Sequence, residues 1–278
     1  MSVVTEARPV TPVNRVTYRV TGRRVLRSEW AKLWTLRSTW ITLAVGIVAL
    51  MAFGSIAAAR YKSGTGPGQR QDPDFATATA VSLALFGVNV AQLALGVLGV
   101  LFMAGEYSTG MIRSTLAAVP RRLPVLWSKA AGYGAVAAAA GAVAALGAFL
   151  SASTIVSGTA AGMSLSADGV VRSLLGAGLY LGLVGVIGVG LGALLRSVAG
   201  GISVLVGSFM LVPGLVSLLP SSWRDNVSEY LPSNAGSSIF ALHHQAGTLS
   251  AGAGLAVLLG WTMLVLAGAA YRLARRDA

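Results

Sequence analysis

The sequence predicts an all-α polytopic membrane protein: six transmembrane helices, an amino-terminal amphipathic elbow helix, and both termini in the cytoplasm. Three observations lead there. The 278 residues are 55% hydrophobic and only 11% charged, a balance that a water-soluble fold of this size has too little interior to hide. Six apolar stretches, approximately 41–59, 81–104, 130–150, 174–195, 198–219 and 251–270, contain no Asp, Glu, Lys or Arg. Each is close to the about 20 residues that a helix needs to cross a hydrocarbon core of about 30 Å. They are dense in Ala, Leu and Gly and lack the alternation of barrel strands, so helices rather than strands are expected in the bilayer.

Orientation follows from how the net charge of +12 is distributed. Sixteen basic residues fall on the amino-terminal arm, the second and fourth connections and the tail, against five (Arg60, Lys62, Arg70, Arg172, Arg224) on the other side. The positive-inside rule therefore places both termini in the cytoplasm. A nucleic-acid partner is not expected, because no folded basic surface or aromatic platform stands outside the spans. There is no cysteine, which excludes disulfides, thiol catalysis and Cys-ligated metals. The arm has no A-x-A-like cleavage site, so the first span is expected to act as the insertion signal and to remain.

Taken in order, residues 1–22 carry Pro9, Pro12 and scattered Thr and Arg and read as a disordered cytoplasmic tail. Residues 23–38 read as an interfacial helix. Leu26, Trp30, Leu33 and Trp34 recur at helical spacing, while Arg23, Arg27, Lys32 and Arg37 fall mostly elsewhere around the axis. Its candidate contact residues are Arg27, Glu29, Trp30, Lys32, Leu33 and Trp34, with membrane lipid as a partner. The six-helix transmembrane body then covers 39–272, followed by a cytoplasmic tail at 273–278. Residues 60–79, rich in Gly and Pro, read as a flexible external loop.

In the second span Asn89 and Gln92 are three apart on one face. An amide in hydrocarbon is costly unless paired, so the two are expected to bond between helices or to line a polar cavity. The third span, mostly Ala and Gly, is expected to pack inside the bundle or against a second protomer. The fourth carries Gly178, Gly182, Gly185, Gly188 and Gly192, a pattern for close helix packing rather than a phosphate cradle. Only Arg196–Ser197 joins it to the fifth, which makes the two antiparallel neighbours, and Pro213 is expected to kink the fifth. Residues 220–250 hold Trp223, Tyr230, Ile239 and Phe240 among polar residues and suit short helices at the outer interface.

Catalytic signals are absent from the chain: no GxxxxGK[ST] loop, no HExxH and no intramembrane carboxylate pair. His243 and His244 are adjacent and project about 100° apart on a helix, so they read as surface residues, and no metal site is expected. Ser208 has no histidine at its depth, which argues against intramembrane proteolysis. Asp225, Glu229, His243 and His244 are the one polar set that a lipid-modifying enzyme would need, and they sit in a loop.

The segment shaped for a partner is 105–129. Glu106 stands where the second span leaves the membrane, Ser108–Thr109–Gly110 can break the helix, and Met111–Val119 can form two turns stopped by Pro120, with Arg121 and Arg122 at the interface. The spacing of Glu106, Gly110, Met111, Leu116 and Pro120 resembles the cytoplasmic segment after the second span in ABC-2 type (type-2) ABC transporter permeases. The SEWAKLWTLRSTW run, the six-span layout, the short fourth connection and the segment before the last span are similar to that family too, over residues 23–275. Met111 departs from the pattern, standing where many members have Thr.

The resemblance implies an exporter subunit, not an enzyme, with no cofactor of its own, and the use of Arg over Lys with abundant Ala, Gly and Val favours a bacterial plasma membrane. ATP and Mg would be bound by a separate ABC ATPase subunit, and a second permease would complete the pathway as a homodimer or heterodimer. It also implies ATPase coupling through Glu106, Gly110, Arg113, Pro120, Arg121 and Arg122. The competing expectation is a non-transporting membrane anchor for a cytoplasmic complex.

Overall fold

The structure, a computed structural model, describes residues 22–35, 37–65, 77–112, 123–244 and 247–275. The expected amino-terminal tail, most of the first external loop, and Arg113, Pro120, Arg121 and Arg122 lie outside the described residues. The described residues are all-α, with no strand among them. Six helices are long and apolar enough to cross a membrane: Thr39–Gly64, Ala80–Ser108, Leu123–Ile155, Val170–Leu195, Val198–Ser217 and Ala251–Arg275. The chain is a multi-pass membrane protein.

A separate helix, Gly22–Thr35, precedes them and packs against the start of the third span. Its faces divide differently from the expected apolar stripe. Glu29 and Leu33, one turn apart, are buried against the bundle, whereas Leu26, Trp30 and Trp34 stay about half exposed. The indoles continue into the first span: Trp34 and Trp40 stack with centroids 4.7 Å apart, and Trp40 Nε1 donates to the Trp34 carbonyl at 3.1 Å. The first-span helix continues to Gly64 and so carries Arg60 and Lys62, which had been assigned to the loop.

The second span opens with a reciprocal cap, Ser82 N donating to Thr79 Oγ1 and Thr79 N to Ser82 Oγ. A 3₁₀ turn at Leu85–Gly87 follows, where the first and second spans cross backbone to backbone. A Cβ on Gly87 would lie 2.5 Å from the Leu50 carbonyl oxygen, and one on Gly54 the same distance from that of Ala84. Only hydrogen fits at either crossing point.

The third span departs most from expectation, because its helix begins at Leu123 rather than near residue 130. At 1.5 Å per residue its 33 residues reach about 50 Å, beyond the hydrocarbon core, and its amino-terminal end carries Lys129. Pro124 stands in the first turn, where its missing N–H costs no intrahelical bond.

The fourth span is the most enclosed and holds the bundle together. A Cβ on Gly178 would meet the Ala138 carbonyl oxygen at 2.7 Å, and one on Gly192 that of Val100 at 2.8 Å. One on Gly188 would collide with the Gly96 carbonyl. The small-residue spacing thus packs the fourth span against both the second and the third. Without a hydrophobic force between helices in lipid, such close approach supplies the van der Waals contact that holds them. Hydrogen bonds add to it: Tyr180 Oη donates to Gln92 Oε1, Tyr133 Oη to the Leu95 carbonyl, and Ser55 and Ser151 hydroxyls meet at 3.0 Å.

The fifth span is broken into Val198–Val206, a π turn at Gly207–Leu211 and Val212–Ser217. Pro213 supplies the reason: its ring would strike the Phe209 carbonyl in a regular helix, and the π turn removes that clash. Ser208 is spent locally, donating to Leu205 O at 3.1 Å. Short helices follow, Ser221–Val227 and Pro232–Phe240, the second wedged between the fourth and sixth spans. Arg172 holds it there, with Nη2 donating to Ala241 O at 2.7 Å and Leu242 O at 3.1 Å. A cation at carbonyls just past a helix C-terminus also complements the helix dipole.

The glycine packing makes a direct prediction. Gly188→Val should lower stability in detergent by about 1–3 kcal/mol or more, the usual cost of overpacking. Gly260→Ala, with open space around it, should be neutral or stabilising by up to about 1 kcal/mol. The loss of monodisperse protein on heating measures both.

Candidate functional site

One end of the bundle gathers the helix Gly22–Thr35, the exit of the second span, the start of the third and the far end of the sixth. Arg272 Nη1 donates to the Leu194 carbonyl, and the Arg196 guanidinium stands 5.3 Å from the Tyr107 ring centroid. Both ends of the connection between the second and third spans are here. So is a closed ring of four charges.

Lys129 Nζ lies 2.6 Å from Glu29 Oε2 and 2.8 Å from Glu106 Oε1. Lys32 Nζ closes the ring, 2.8 Å from Glu29 Oε1 and 3.0 Å from Glu106 Oε1. Three elements contribute: Glu29 and Lys32 are one helical turn apart on the elbow helix, Glu106 is in the last turn of the second span, and Lys129 is in the second turn of the third. Each charge touches two of opposite sign. Lys129 is 0% exposed, Glu29 1% and Glu106 5%. The Lys129 ammonium also sits 4.2 Å from the Phe102 ring centroid, a cation–π contact strengthened by loss of water. Glu106 Oε2 has no hydrogen-bond partner among the described residues.

Burial by itself would lower the pKa of Lys32, but the hydrogen bonds it donates to Glu29 and Glu106, together with their charges, hold it above the ordinary value. A raised lysine contributes its full stabilisation below its unfolded pKa of about 10.4 and loses it only as pH climbs through the folded value. Lys32 therefore keeps its charge at physiological pH.

The Glu106 carboxylate points inward and is engaged by two lysines, so it ties the end of the second span to the elbow helix. Gly110 takes φ +73° just past the second span, where the left-handed region favours glycine, and turns the chain out of the helix. Met111 is exposed and Ile112 buried. Arg27 is exposed on the elbow, and Lys32 is partly covered.

Asn89 and Gln92 part company. Gln92 is buried and bonded to Tyr180, as interhelical packing requires, while Asn89 is exposed in a cavity of about 360 Å³ at the opposite end of the bundle. Thr79, Ser82, Ser237 and His243 line that cavity with Phe86 and Phe240. His243 and His244 are both exposed. Among the described residues no three His, Asp or Glu side chains come together in a metal-binding group.

Sequence reasoning missed Lys129, grouping it with solvated interfacial charges. The signal available was Glu29: it is the one acid in a basic helix and shares a face with Leu33, a position that needs a buried cation opposite. The chain matches no protein-family model, and no curated protein matches it in sequence.

Breaking the ring should be expensive. Lys129→Met leaves two buried carboxylates sharing one lysine and should destabilise the protein by about 3–5 kcal/mol. Adding Glu29→Gln restores neutrality and should recover part of that loss, whereas Lys32→Met, at a partly exposed position, should cost less than Lys129→Met. Thermal unfolding of the four proteins in detergent tests the order.

Proposed function

We propose that this chain is the transmembrane permease subunit of an ATP-driven exporter of the ABC-2 type, acting in a bacterial plasma membrane with a separate ATPase. The observation that supports it most is the charge ring. It clamps the elbow helix to both ends of the connection at 109–122, the segment whose sequence resembles the coupling segment of those permeases. A push on that connection by a soluble partner is then transmitted to the second and third spans and the elbow together, instead of being lost in a loose loop.

On this reading the chain is not an enzyme. The sequence holds no phosphate loop, so ATP and Mg belong to the partner, which supplies the energy. Gly110, Arg113, Pro120, Arg121 and Arg122 form the contact with that partner, and Glu106 is the internal link behind it. The elbow helix lies at the cytoplasmic interface. A second permease completes the transport pathway, with no nucleic acid involved. The spans carry no charged relay along their length, which fits transport powered from outside the chain rather than by protons or sodium.

A mild-detergent pull-down from native membranes should recover a phosphate-loop ATPase, and the complex should hydrolyse ATP. Glu106→Gln should leave the ATPase bound while sharply lowering its stimulation by the permease. Recovery of other membrane complexes but of no ATPase would instead support a non-transporting anchor.

A further inference from the structure

A groove of about 420 Å³ runs along the outside of the bundle between the elbow helix, the first span and the third. Trp30, Trp34 and Trp40 stand around its mouth, and Leu43 and Ile47 continue its wall. From Trp40 to Ile47 the first span rises about 10 Å. The floor is Ala139 and Ala140 of the third span, and the groove exists because alanine stands where a larger side chain would fill the space. Its lining is hydrocarbon and indole apart from Thr39, which is itself buried, so whatever occupies it is held by apolar contact.

The mouth has a different chemistry. At 100° per residue, positions 27, 30 and 34 share one helical face, so Arg27 continues the line of the two tryptophans. Arg27 on this face is exposed. The ring of two glutamates and two lysines nearby sums to zero, so it does not cancel the positive charge of that line. An apolar slot about 10 Å long beside tryptophans and an exposed arginine matches a molecule with a hydrocarbon chain and an anionic head.

We propose that the groove binds an anionic membrane phospholipid, one acyl chain lying between the first and third spans and the phosphate at Arg27. The lipid then completes the packing of the elbow helix against the bundle. This site depends on the six membrane-spanning helices and not on the permease reading, so either can fail without the other.

The test reconstitutes the full chain in vesicles of equal phosphatidylglycerol and phosphatidylethanolamine, extracts it in mild detergent and quantifies retained lipid by mass spectrometry. Phosphatidylglycerol should be enriched, at about one molecule per chain. Arg27→Gln should lower its retention about fivefold, which corresponds to the about 1 kcal/mol that one basic residue contributes near an anionic surface. Ala139→Leu should displace it by filling the groove, and Arg60→Gln, on an exposed residue at the far end of the first span, should leave it bound. Retained lipid that mirrors the vesicle mixture and ignores Arg27→Gln overturns the proposal. So does a dimer that Ala139→Leu converts to monomer with lipid unchanged, since a second copy would then be the occupant. Arg27 is exposed, so its variant carries the test even where Ala139→Leu misfolds.

Discussion

Lys129 places a full positive charge where water does not reach, and the base of the bundle is arranged around that constraint. Desolvating an ion costs several kcal/mol, and a pair of opposite charges about 4 Å apart returns only about 4 kcal/mol at the effective dielectric that suits proteins. One partner would leave Lys129 close to break-even. Two carboxylates at 2.6 and 2.8 Å, an aromatic face at 4.2 Å and a second lysine to balance the carboxylates make the arrangement self-consistent. What it contributes is geometry. Apolar surfaces can slide past one another, but four charges at such distances fix the elbow helix in one register against the second and third spans.

Above that base, the membrane-embedded core is a packing of small residues around the fourth span. Glycines let its backbone approach those of the second and third spans, and Tyr180 and Tyr133 bond across the contacts they create. The result is a tight unit of three helices, with the fifth span at the periphery, interrupted by its π turn and largely exposed. On the side away from the charge ring, Arg172 fixes the short helix Pro232–Phe240 over the fourth span. Close backbone approach in the core, with the charge ring at one end and the Arg172 contacts at the other, ties these helices into one packed unit.

The elbow helix serves two environments at once. Its Glu29–Leu33 face is spent on the bundle and its Trp30–Trp34 face is turned to the groove, so a stretch read as one amphipathic pattern in fact divides its apolar residues between two faces. The charge ring and the apolar groove share that helix, and Leu33 separates them.

Hydropathy alone determined the class of this protein, the number of its spans and nearly all their positions, because a helix in lipid must be long, apolar and internally hydrogen-bonded whatever it packs against. The glycine spacing in the fourth span likewise gave away its close helix packing, and Pro213 the break in its neighbour. The start of the third span was not legible, since Leu123–Lys129 mixes Pro, Trp and a charge that read equally well as connection or helix. Nor was the division between Asn89 and Gln92, three residues apart, because only the position of Tyr180 decides which amide is enclosed. The ring itself lies beyond any sequence pattern. Its members are at 29, 32, 106 and 129, each a typical interfacial charge when read alone, and burial became affordable only when tertiary packing brought all four within 3.0 Å of an opposite charge.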